Sequence, residues 1–243
     1  MVQRDIEVRI FDTPDKLAET LAGMIARLPK DGKKVPVHIA LSGGKTPEVL
    51  FETLACKFRE KTEWDLFHFW WCDERCVDLE SPESNFGEAS RQLFSKVPVP
   101  APHLHRIAGE AHPEEEAERY SREIKQHLPL HNQWPVFDLV LLRMGDDGHI
   151  ASLFPGHLDL MNSPRICEVV SHPQTGQKRI TLTGRVINQA HRIVIMVTGE
   201  TKSHRISEIM NNRKTAHQLP AYYVNPVKGK LEWYLDVKAA SLI

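Results

Sequence analysis

An almost unbroken apolar run, Val-Phe-Asp-Leu-Val-Leu-Leu over residues 136–142, constrains the fold of this chain most strongly. Such a run predicts a strand buried on both faces, as in the parallel sheets of α/β proteins. A turn with Gly145 and Gly148 follows directly, and His149 comes next. Because open α/β sheets bind ligands beyond the carboxyl ends of their strands, we expect the active site here. The alternative left open is an ordinary strand-to-helix turn with a solvated histidine.

Similar apolar stretches alternate with segments of helical period along the chain. Strands are predicted at 7–11, 35–41, 64–72, 136–142, 179–182 and 191–197, and strand-like runs follow at 220–224 and 233–237. Helix starts are predicted from capping residues or acidic first turns at Thr13, Thr46, Ser84, Glu114, Thr183 and Glu200. The alternation continues past a proline-rich segment, so we expect a single α/β domain over residues 1–243, with a mostly parallel sheet flanked by helices.

Charge and cysteine content narrow the class of protein. With 31 basic and 32 acidic side chains the formal net charge is −1, so no nucleic-acid or membrane partner is expected. No apolar run reaches the roughly 20 residues of a membrane helix, and the first residues do not form a signal peptide, which predicts a soluble, cytoplasmic protein. The four cysteines are irregularly spaced and are expected to be free thiols. Cys72 and Cys76 are the only close pair, a zinc half-site without a second pair.

A second glycine turn, Ser42-Gly43-Gly44-Lys45-Thr46-Pro47, joins the predicted strand at 35–41 to a helix. Thr46 suits the N-cap of that helix and Pro47 its first position. A strand, a glycine pair and a helix amino terminus present free backbone N–H groups, an arrangement that binds phosphate. The turn is not a P-loop, because Ile39 stands where that motif requires glycine, and the GxGxxG pattern is absent. A tight turn without a ligand is the open alternative.

Charged residues follow two other predicted strands. Asp73-Glu74-Arg75 comes at the end of the strand at 64–72, and Lys202 lies one turn into the helix after Gly199. Such positions often border the ligand crevice of an α/β sheet. The alternatives are a solvated rim for the triplet and a solvated helix residue for Lys202. Three histidines of a predicted loop are expected to be solvated: His103, His105 and His112.

Several of these segments occur together in a characteristic order. They are Ser42-Gly43-Gly44-x-Thr46-Pro47, Asp73-Glu74-Arg75 with Ser84-Asn85, Gly145-x-Asp147-Gly148-His149-x-Ala151-Ser152-Leu153-Phe154-Pro155-Gly156, Arg179-Ile180-Thr181, Gly199-x-x-Lys202 and Trp233-x-x-Asp236. With these motifs the chain resembles the 6-phosphogluconolactonase family. The resemblance implies a single Rossmann-like domain related to glucosamine-6-phosphate deaminase. It also implies a hydrolase without metal or other cofactor, which converts 6-phospho-D-glucono-1,5-lactone to 6-phospho-D-gluconate in the second step of the oxidative pentose phosphate pathway.

The resemblance gives the catalytic candidates their expected roles. His149 is the expected general base, because a neutral imidazole can take a proton from water near neutral pH. Asp73 and Asp147 are candidates to orient the imidazole or the substrate hydroxyl groups. Arg75, together with N–H groups of the Gly43-Gly44 turn, is a candidate to stabilise the oxyanion.

The 6-phosphate of the substrate is expected on the glycine turn. The loop from Ser42 to Thr46 and the amino end of its helix would supply N–H groups, with positive charge from Arg179 and Lys202. No HExxH motif and no clustered carboxylate set indicates a metal site.

Two positions depart from the family's usual pattern, and a third separates two members of the superfamily. Arg143 stands where glycine is usual and either enters the turn or makes a surface contact, whereas Ile150 stands where threonine is usual and removes a hydroxyl group. Both are expected to affect the rate, not the reaction. The deaminase, which shares Asp-Gly-His-Ile-Ala, has a catalytic glutamate where this chain has Phe154. A phenyl ring cannot move a proton, so the lactonase is favoured.

A phosphosugar sensor is the alternative from a different class, because domains similar to this fold serve as effector-binding modules of transcription regulators. Such a regulator would carry a helix-turn-helix segment before the sugar domain, and none is expected because the first predicted strand begins within ten residues of Met1. A stand-alone sensor that binds the phosphosugar without turnover stays open. A monomer is favoured.

Overall fold

The computed structural model describes residues 6–29 and 35–243, in which strands and helices alternate. The strands are β1 (Ile6–Phe11), β2 (Val37–Leu41), β3 (Phe67–Trp71), β4 (Asp73–Arg75), β5 (Leu104–His105), β6 (Leu130–His131), β7 (Trp134–Pro135), β8 (Leu139–Arg143), β9 (Cys167–Ser171), β10 (Lys178–Leu182), β11 (Arg192–Val197) and β12 (Lys230–Asp236). The α-helices are α1 (Pro14–Ala26), α2 (Lys45–Lys57), α3 (Asn85–Ala89), α4 (Pro113–His127), α5 (Gly184–Ile187) and α6 (Ser203–Met210).

Seven of the described strands form one parallel sheet in the order β1-β12-β11-β8-β2-β3-β5. From β2 the chain builds outward to β5, then returns to β8 and builds outward in the opposite direction. The junction of β2 and β8 is therefore the topological switch point, where sheets of this kind bind ligands. The predicted α/β class with a mostly parallel sheet is confirmed, and the extension of one domain over all of residues 1–243 stays a prediction.

The central strand β8 has the burial expected from its apolar run. Residues 139–142 are at most 1% exposed, so both faces of the strand are covered. The polar residue of the run, Asp138, lies just before the strand, and its Oδ2 accepts a hydrogen bond from the backbone N–H of His38 at 2.8 Å. That bond satisfies a carboxylate at a buried strand start, where an unpaired charge would be costly.

A second, antiparallel sheet in the order β4-β10-β9 lies at the carboxyl end of β3. Thr181 of β10 pairs with Asp73, and Arg179 pairs with Arg75. The sequence analysis treated Asp73-Glu74-Arg75 only as charges after a strand. They form a strand of their own because β10, more than 100 residues later, pairs with them, and the pairing brings Arg179 to the ligand end of the main sheet.

Helix starts follow the capping predictions in part. The side chain of Thr13 accepts a hydrogen bond from the N–H of Lys16 at 3.2 Å, which confirms it as the N-cap of α1. The prediction for Thr46 is wrong, because α2 begins two residues earlier than expected and its N-cap is Gly44, which has no side chain to cap it. No helix among the described residues has the length and apolar character needed to cross a membrane.

Two further local predictions are corrected by the structure. The run at 220–224 is a 3₁₀ turn, Pro220–Tyr223, because proline fixes φ and offers no N–H to a sheet. His105 is not solvated: it lies in β5 and is 3% exposed. It belongs to a group of stacked imidazoles around Trp70, here named the histidine cluster: His38, His68, His103, His105 and His127. His112 is exposed, as predicted.

Candidate active site

The turn after β8 folds His149 back over Gly145. The N–H of Gly145 donates to the carbonyl of His149 at 2.9 Å, and the N–H of Gly148 donates to the carbonyl of Gly145 at 3.0 Å. A Cβ on Gly145 would lie 2.2 Å from Cε1 of His149, so only glycine fits there. Gly148 and Ala151 adopt positive φ angles of 85° and 47°. A non-glycine residue in this conformation carries strain of a kind that concentrates at functional turns.

His149 is oriented by Asp147. Nδ1 of the imidazole lies 2.6 Å from Oδ1 of the carboxylate, and the ring packs on Phe154 with centroids 5.1 Å apart. Burial raises the pKa of Asp147, but the hydrogen bond and charge of His149 outweigh it and lower that pKa to about 2. The ionised carboxylate therefore holds the proton on Nδ1, and Nε2, which has no partner among the described residues, is the nitrogen left to accept one.

Asp73 has partners other than the imidazole. Its Oδ2 accepts a hydrogen bond from Oγ of Ser152 at 2.7 Å, and its backbone carbonyl accepts one from Nδ2 of Asn85 at 2.8 Å. Because Ser152 lies three residues after His149, Asp73 anchors the turn that carries the histidine. Of the two predicted carboxylates, Asp147 is the one that hydrogen-bonds the imidazole.

Glu74 is buried and fixes the loop before α3. Its carboxylate accepts hydrogen bonds from the N–H groups of Arg75, Asn85 and Phe86, each at 2.8 Å, and from Oγ of Ser84 at 3.2 Å. Burial raises the pKa of Glu74 to about 7, against the opposing effect of the N–H donors. This role of Glu74 was not predicted, since nothing in the local sequence indicates that the carboxylate binds the backbone of a segment ten residues away.

Arg75 and Arg179 lie opposite one another across β4 and β10. Nη1 of Arg75 donates to the carbonyl of Glu83 at 2.6 Å, and the guanidinium of Arg179 lies 5.7 Å from the centre of the Phe154 ring. Arg179 is 8% exposed, and burial lowers its pKa while Asp73 raises it. The Nε atoms of both arginines are buried without a partner among the described residues. Two guanidinium groups with unused donors thus lie beside Asp73.

The glycine turn after β2 is shaped by its neighbours. A Cβ on Gly43 would lie 1.9 Å from Oδ1 of Asn85, so this backbone must approach the amide closely. Gly44 adopts a φ of 100° and leaves the first N–H groups of α2 without a side-chain cap. Ser42 is 3% exposed, and its Oγ has no hydrogen-bond partner among the described residues. Free N–H groups at a helix start favour an anion.

Thr46 and Lys202 both contact Thr198, in the loop after β11. Oγ1 of Thr46 lies 3.0 Å from Oγ1 of Thr198, and this contact joins the first turn of α2 to the loop after β11. Nζ of Lys202 lies 3.1 Å from Oδ1 of Asp146 and 3.4 Å from the carbonyl of Thr198. The structure therefore brings Lys202 next to the glycine turn, while Arg179 lies on the Phe154 side.

Unsatisfied polar atoms converge on this region. Of the nine buried side-chain polar atoms without a partner among the described residues, five belong to the residues just described: Ser42 Oγ, Arg75 Nε, Asn85 Oδ1, His149 Nε2 and Arg179 Nε. Buried polar groups in proteins are almost always hydrogen-bonded, so a cluster of exceptions marks a place where a ligand supplies the partners. The sequence analysis missed Asn85, Ser152 and Asp146 as site residues, although Asn85 and Ser152 stand within the quoted motifs.

A cavity of about 690 Å³ lies elsewhere, between α4 and β9, and is lined by residues such as Glu118, Arg122, Trp134 and Glu168. It contains none of the predicted site residues, and none of its lining residues carries one of these unpartnered atoms. The chemistry of the lining residues therefore favours the crevice at the switch point over this cavity as the active site.

A zinc site at Cys72 and Cys76 is disfavoured, because both thiols are held in the protonated form. Sγ of Cys72 is fully buried, 3.8 Å from the carbonyl of Leu141. Burial raises the pKa of both thiols, to about 11 for Cys76, and metal ions bind the thiolate form. Among the described residues no group of three or more His, Cys, Asp or Glu side chains has the arrangement of a metal site.

The fold and the crevice define an α/β protein with a candidate ligand site at the switch point of a parallel sheet, built from a histidine–aspartate pair and a glycine turn at a helix amino terminus. The family model for glucosamine-6-phosphate isomerases/6-phosphogluconolactonase matches residues 12–233. A 6-phosphogluconolactonase of Haemophilus influenzae is 42% identical over 209 residues, which cover 86% of this chain and 88% of that protein. The chain therefore belongs to the glucosamine-6-phosphate isomerase/6-phosphogluconolactonase family.

Solved structures agree with this membership. A crystal structure of the devB protein has a TM-score of 0.92 and 43% identity, covering 98% of this chain and 99% of that chain. A monomeric glucosamine-6-phosphate deaminase has a TM-score of 0.83 at 20% identity, covering 98% of this chain and 100% of that chain. The second comparison shows the shared fold, as the sequence resemblance predicted.

Two of the singled-out positions have structural roles beside the imidazole. Phe154 is fully buried between the His149 ring and the guanidinium of Arg179, so no carboxylate occupies that place. Ile150 is fully buried and bridges Met144 and Leu153 within the turn. Its side chain therefore contributes packing where a threonine would offer a hydroxyl group.

Proposed function

We propose that this protein hydrolyses 6-phospho-D-glucono-1,5-lactone to 6-phospho-D-gluconate, the second step of the oxidative pentose phosphate pathway. Membership of the family supports the proposal, as do relatives named 6-phosphogluconolactonase from Haemophilus influenzae and Treponema pallidum, 42% and 39% identical over most of their length. One observation carries it: the His149 imidazole is fixed by Asp147 at 2.6 Å while its other nitrogen is unpartnered.

In this mechanism His149 is the general base. Nε2 takes a proton from water as the water oxygen bonds to the lactone carbonyl carbon. Asp147 keeps the proton on Nδ1 and stabilises the imidazolium that forms. The imidazolium then returns its proton to the ring oxygen as the carbon–oxygen bond of the ring breaks. Asp73, through Ser152, holds the turn in place for these transfers.

The oxyanion and the phosphate bind the donors of the crevice. Arg75 and the N–H groups of Gly43 and Gly44 stabilise the oxyanion of the tetrahedral intermediate. The 6-phosphate lies on the loop from Ser42 to Thr46 at the start of α2, with Lys202 and Arg179 supplying positive charge from two sides.

The position of Phe154 argues against deaminase activity. Ring opening and amine release in that reaction need a second carboxylate beside the histidine, and here the neighbour of His149 is a phenyl ring at 5.1 Å. Water attack on a lactone needs one base and an oxyanion site, and the crevice holds candidates for both.

The experiment measures acid release from freshly generated 6-phospho-D-glucono-1,5-lactone against its spontaneous hydrolysis, with and without a chelator. We expect acceleration that survives the chelator, is lost in His149→Ala and is kept in His157→Ala, which removes an exposed histidine of the same segment. Binding of the product without any acceleration would contradict the proposal and favour the sensor; glucosamine 6-phosphate would then be the next substrate to test.

The cellular location and the oligomeric state stay predictions. We propose a cytoplasmic location, because the irregularly spaced cysteines are free thiols and Cys72 and Cys167 are buried among apolar residues. For the oligomeric state we propose a monomer. Light scattering of the full chain measures its mass in solution, and a mass of two or more chains would overturn the monomer.

A further inference from the structure

Arg143 is a basic residue of the crevice that the proposed reaction does not use. It is the last residue of β8, and its side chain crosses the glycine turn after β2. Its Nε, Cδ and Cζ atoms lie 3.0, 3.2 and 3.5 Å from the point that a Cβ on Gly44 would occupy. Gly44 is the N-cap of the 13-residue helix α2, so the guanidinium lies directly over the amino terminus of that helix.

Arg143 makes no hydrogen bond or ion pair with the described part of the chain. Asp146, a carboxylate that is influenced by the charge of Arg143, already has partners: Nζ of Lys202 is 3.1 Å away and Oγ1 of Thr201 donates at 2.9 Å. Burial raises the pKa of Asp146, but these partners and the charge of Arg143 lower it below its usual value. The Asp146 carboxylate is thus ionised and bound to Lys202 and Thr201. The N–H donors of the Arg143 guanidinium have no partner among the described residues.

The neighbouring charges make an anion favourable at this point. Arg143 and Arg75 both oppose the charge on Arg179, whose pKa is lowered chiefly by burial and in part by these two cations. These three guanidinium groups are close enough to repel one another, and an anion among them would relieve that repulsion. Of the three, Arg143 lies over the amino terminus of α2, which also favours an anion. A phosphate monoester carries about two negative charges and three acceptor oxygens, which match a guanidinium fork on one side and backbone N–H groups on the other.

We propose that Arg143 is a substrate-specificity residue, which binds the phosphoryl oxygens of the substrate against the Gly44 turn and so selects the phosphorylated lactone. The inference rests on the proposed function in placing the 6-phosphate on this turn. Arg143 is not a catalytic residue in this account, because it contacts the turn and not the reacting carbonyl. Its contribution is to substrate binding, which changes KM more than kcat.

The test compares Arg143→Met with the wild-type protein in two assays. Isothermal titration with inorganic phosphate measures anion binding without turnover, and steady-state kinetics compares 6-phospho-D-glucono-1,5-lactone with unphosphorylated glucono-1,5-lactone. We expect the phosphate Kd and the KM for the phospholactone to rise about 10- to 100-fold, because a charged bidentate contact is lost. We expect kcat to change less than about threefold and the unphosphorylated lactone to react equally well in both proteins.

Two further variants make the comparison specific. Arg143→Lys restores the charge without the planar fork and should recover part of the affinity. Arg165→Met removes an exposed arginine at the distant cavity and should leave both assays unchanged. Thermal melting of each variant shows whether it is folded, and Arg143 at a strand end should tolerate replacement.

The outcomes separate this inference from the proposed function. An equal or lower phosphate Kd in Arg143→Met, or no phosphate binding by the wild-type protein, would overturn the role of Arg143 even if the lactone is hydrolysed. A wild-type protein that binds phosphate without hydrolysing the lactone would overturn the proposed function, and the two phosphate Kd values would still decide the role of Arg143.

Discussion

Two histidine–carboxylate pairs have the same nitrogen–oxygen distance but lie in different surroundings. In the crevice, Nδ1 of His149 is 2.6 Å from Asp147; in the histidine cluster, Nδ1 of His105 is 2.6 Å from Glu123. The other ring nitrogen differs. Nε2 of His149 has no partner among the described residues, whereas Nε2 of His105 lies 2.9 Å from Nδ1 of His68.

The packing of the two rings differs in the same sense. The His105 ring stacks on the Trp70 ring, with centroids 3.8 Å apart and an interplanar angle of 4°, and the two residues pair across β3 and β5. The His149 ring lies in a glycine turn at the switch point, beside residues with unused donors. A carboxylate at Nδ1 therefore shows only that an imidazole is oriented. An unpartnered Nε2 shows in addition that the imidazole can accept a proton from a ligand or from water.

The largest expected effect is the opposite response of the two pairs to removal of the imidazole. His149→Ala should lower the hydrolysis rate by about 10²–10⁴, since general-base catalysis is lost, with little change in stability. His105→Ala should lower the free energy of unfolding by about 2–3 kcal/mol and leave kcat within about threefold, because it breaks a buried hydrogen-bonded stack. Lactone kinetics and urea unfolding of both variants measure this; similar rate losses in both would break the comparison.

The carboxylates extend the contrast. Asp147→Asn should lower kcat by about 10²-fold or more, because an amide does not fix the proton on Nδ1 or stabilise the imidazolium. Glu123→Gln is the matched change in the histidine cluster, and its kcat should match the wild-type value. The pH profile of kcat is the second readout, and a profile unchanged by Asp147→Asn would contradict the orienting role.

The pH dependence of stability should come from the histidine cluster. Burial, followed by the nearby imidazoles of His105, His127 and His103, lowers the pKa of His38 to about 4, whereas an unfolded histidine titrates near ~6.5. Between these values the unfolded chain binds more protons, so stability falls as the pH drops below about 6.5. By pH ~4.5 this residue should cost about 2–3 kcal/mol.

Urea unfolding between pH 7 and 4.5 measures that loss. Many carboxylates titrate in the same range, so the decisive quantity is the difference between the wild-type protein and His38→Asn, whose Oδ1 keeps an acceptor for Nε1 of Trp70 at the place of Nδ1. The variant should lose less stability on acidification. Parallel curves for the two proteins would show that His38 is not held neutral by the fold.

The smallest expected effect is that of Lys202, which should contribute to substrate binding and not to the chemical step. Lys202→Met should raise KM for the phospholactone about tenfold and reduce the preference for it over the unphosphorylated lactone, because one charge next to the glycine turn is lost. Lys125→Met, at the distant cavity, is the control. A fall in kcat with KM unchanged would place Lys202 on the reaction and not on the phosphate.

Local features of the fold could be predicted because their causes are local. The buried strand β8 and the glycine turn after it follow from an apolar run and from φ angles that favour glycine. The start of α1 at Thr13 follows from a side chain that reaches its own helix. The predictions are wrong where a distant part of the chain determines the environment of a residue. Thr46 contacts Thr198 and does not cap α2, and His105 is buried against Trp70.

The sequence by itself determined the α/β class, the position of the two glycine turns and the residue types that line them, because periodicity and turn chemistry act over a few residues. The tertiary structure decided which side chains meet. Arg143 crosses Gly44 because β2 and β8 are neighbours in the sheet although they are far apart in the chain. Asn85 fits against Gly43 and Ser152 binds Asp73 from 79 residues away because the sheet also brings β3 next to β2. Strand order is set by packing of the whole core, so no local pattern records it.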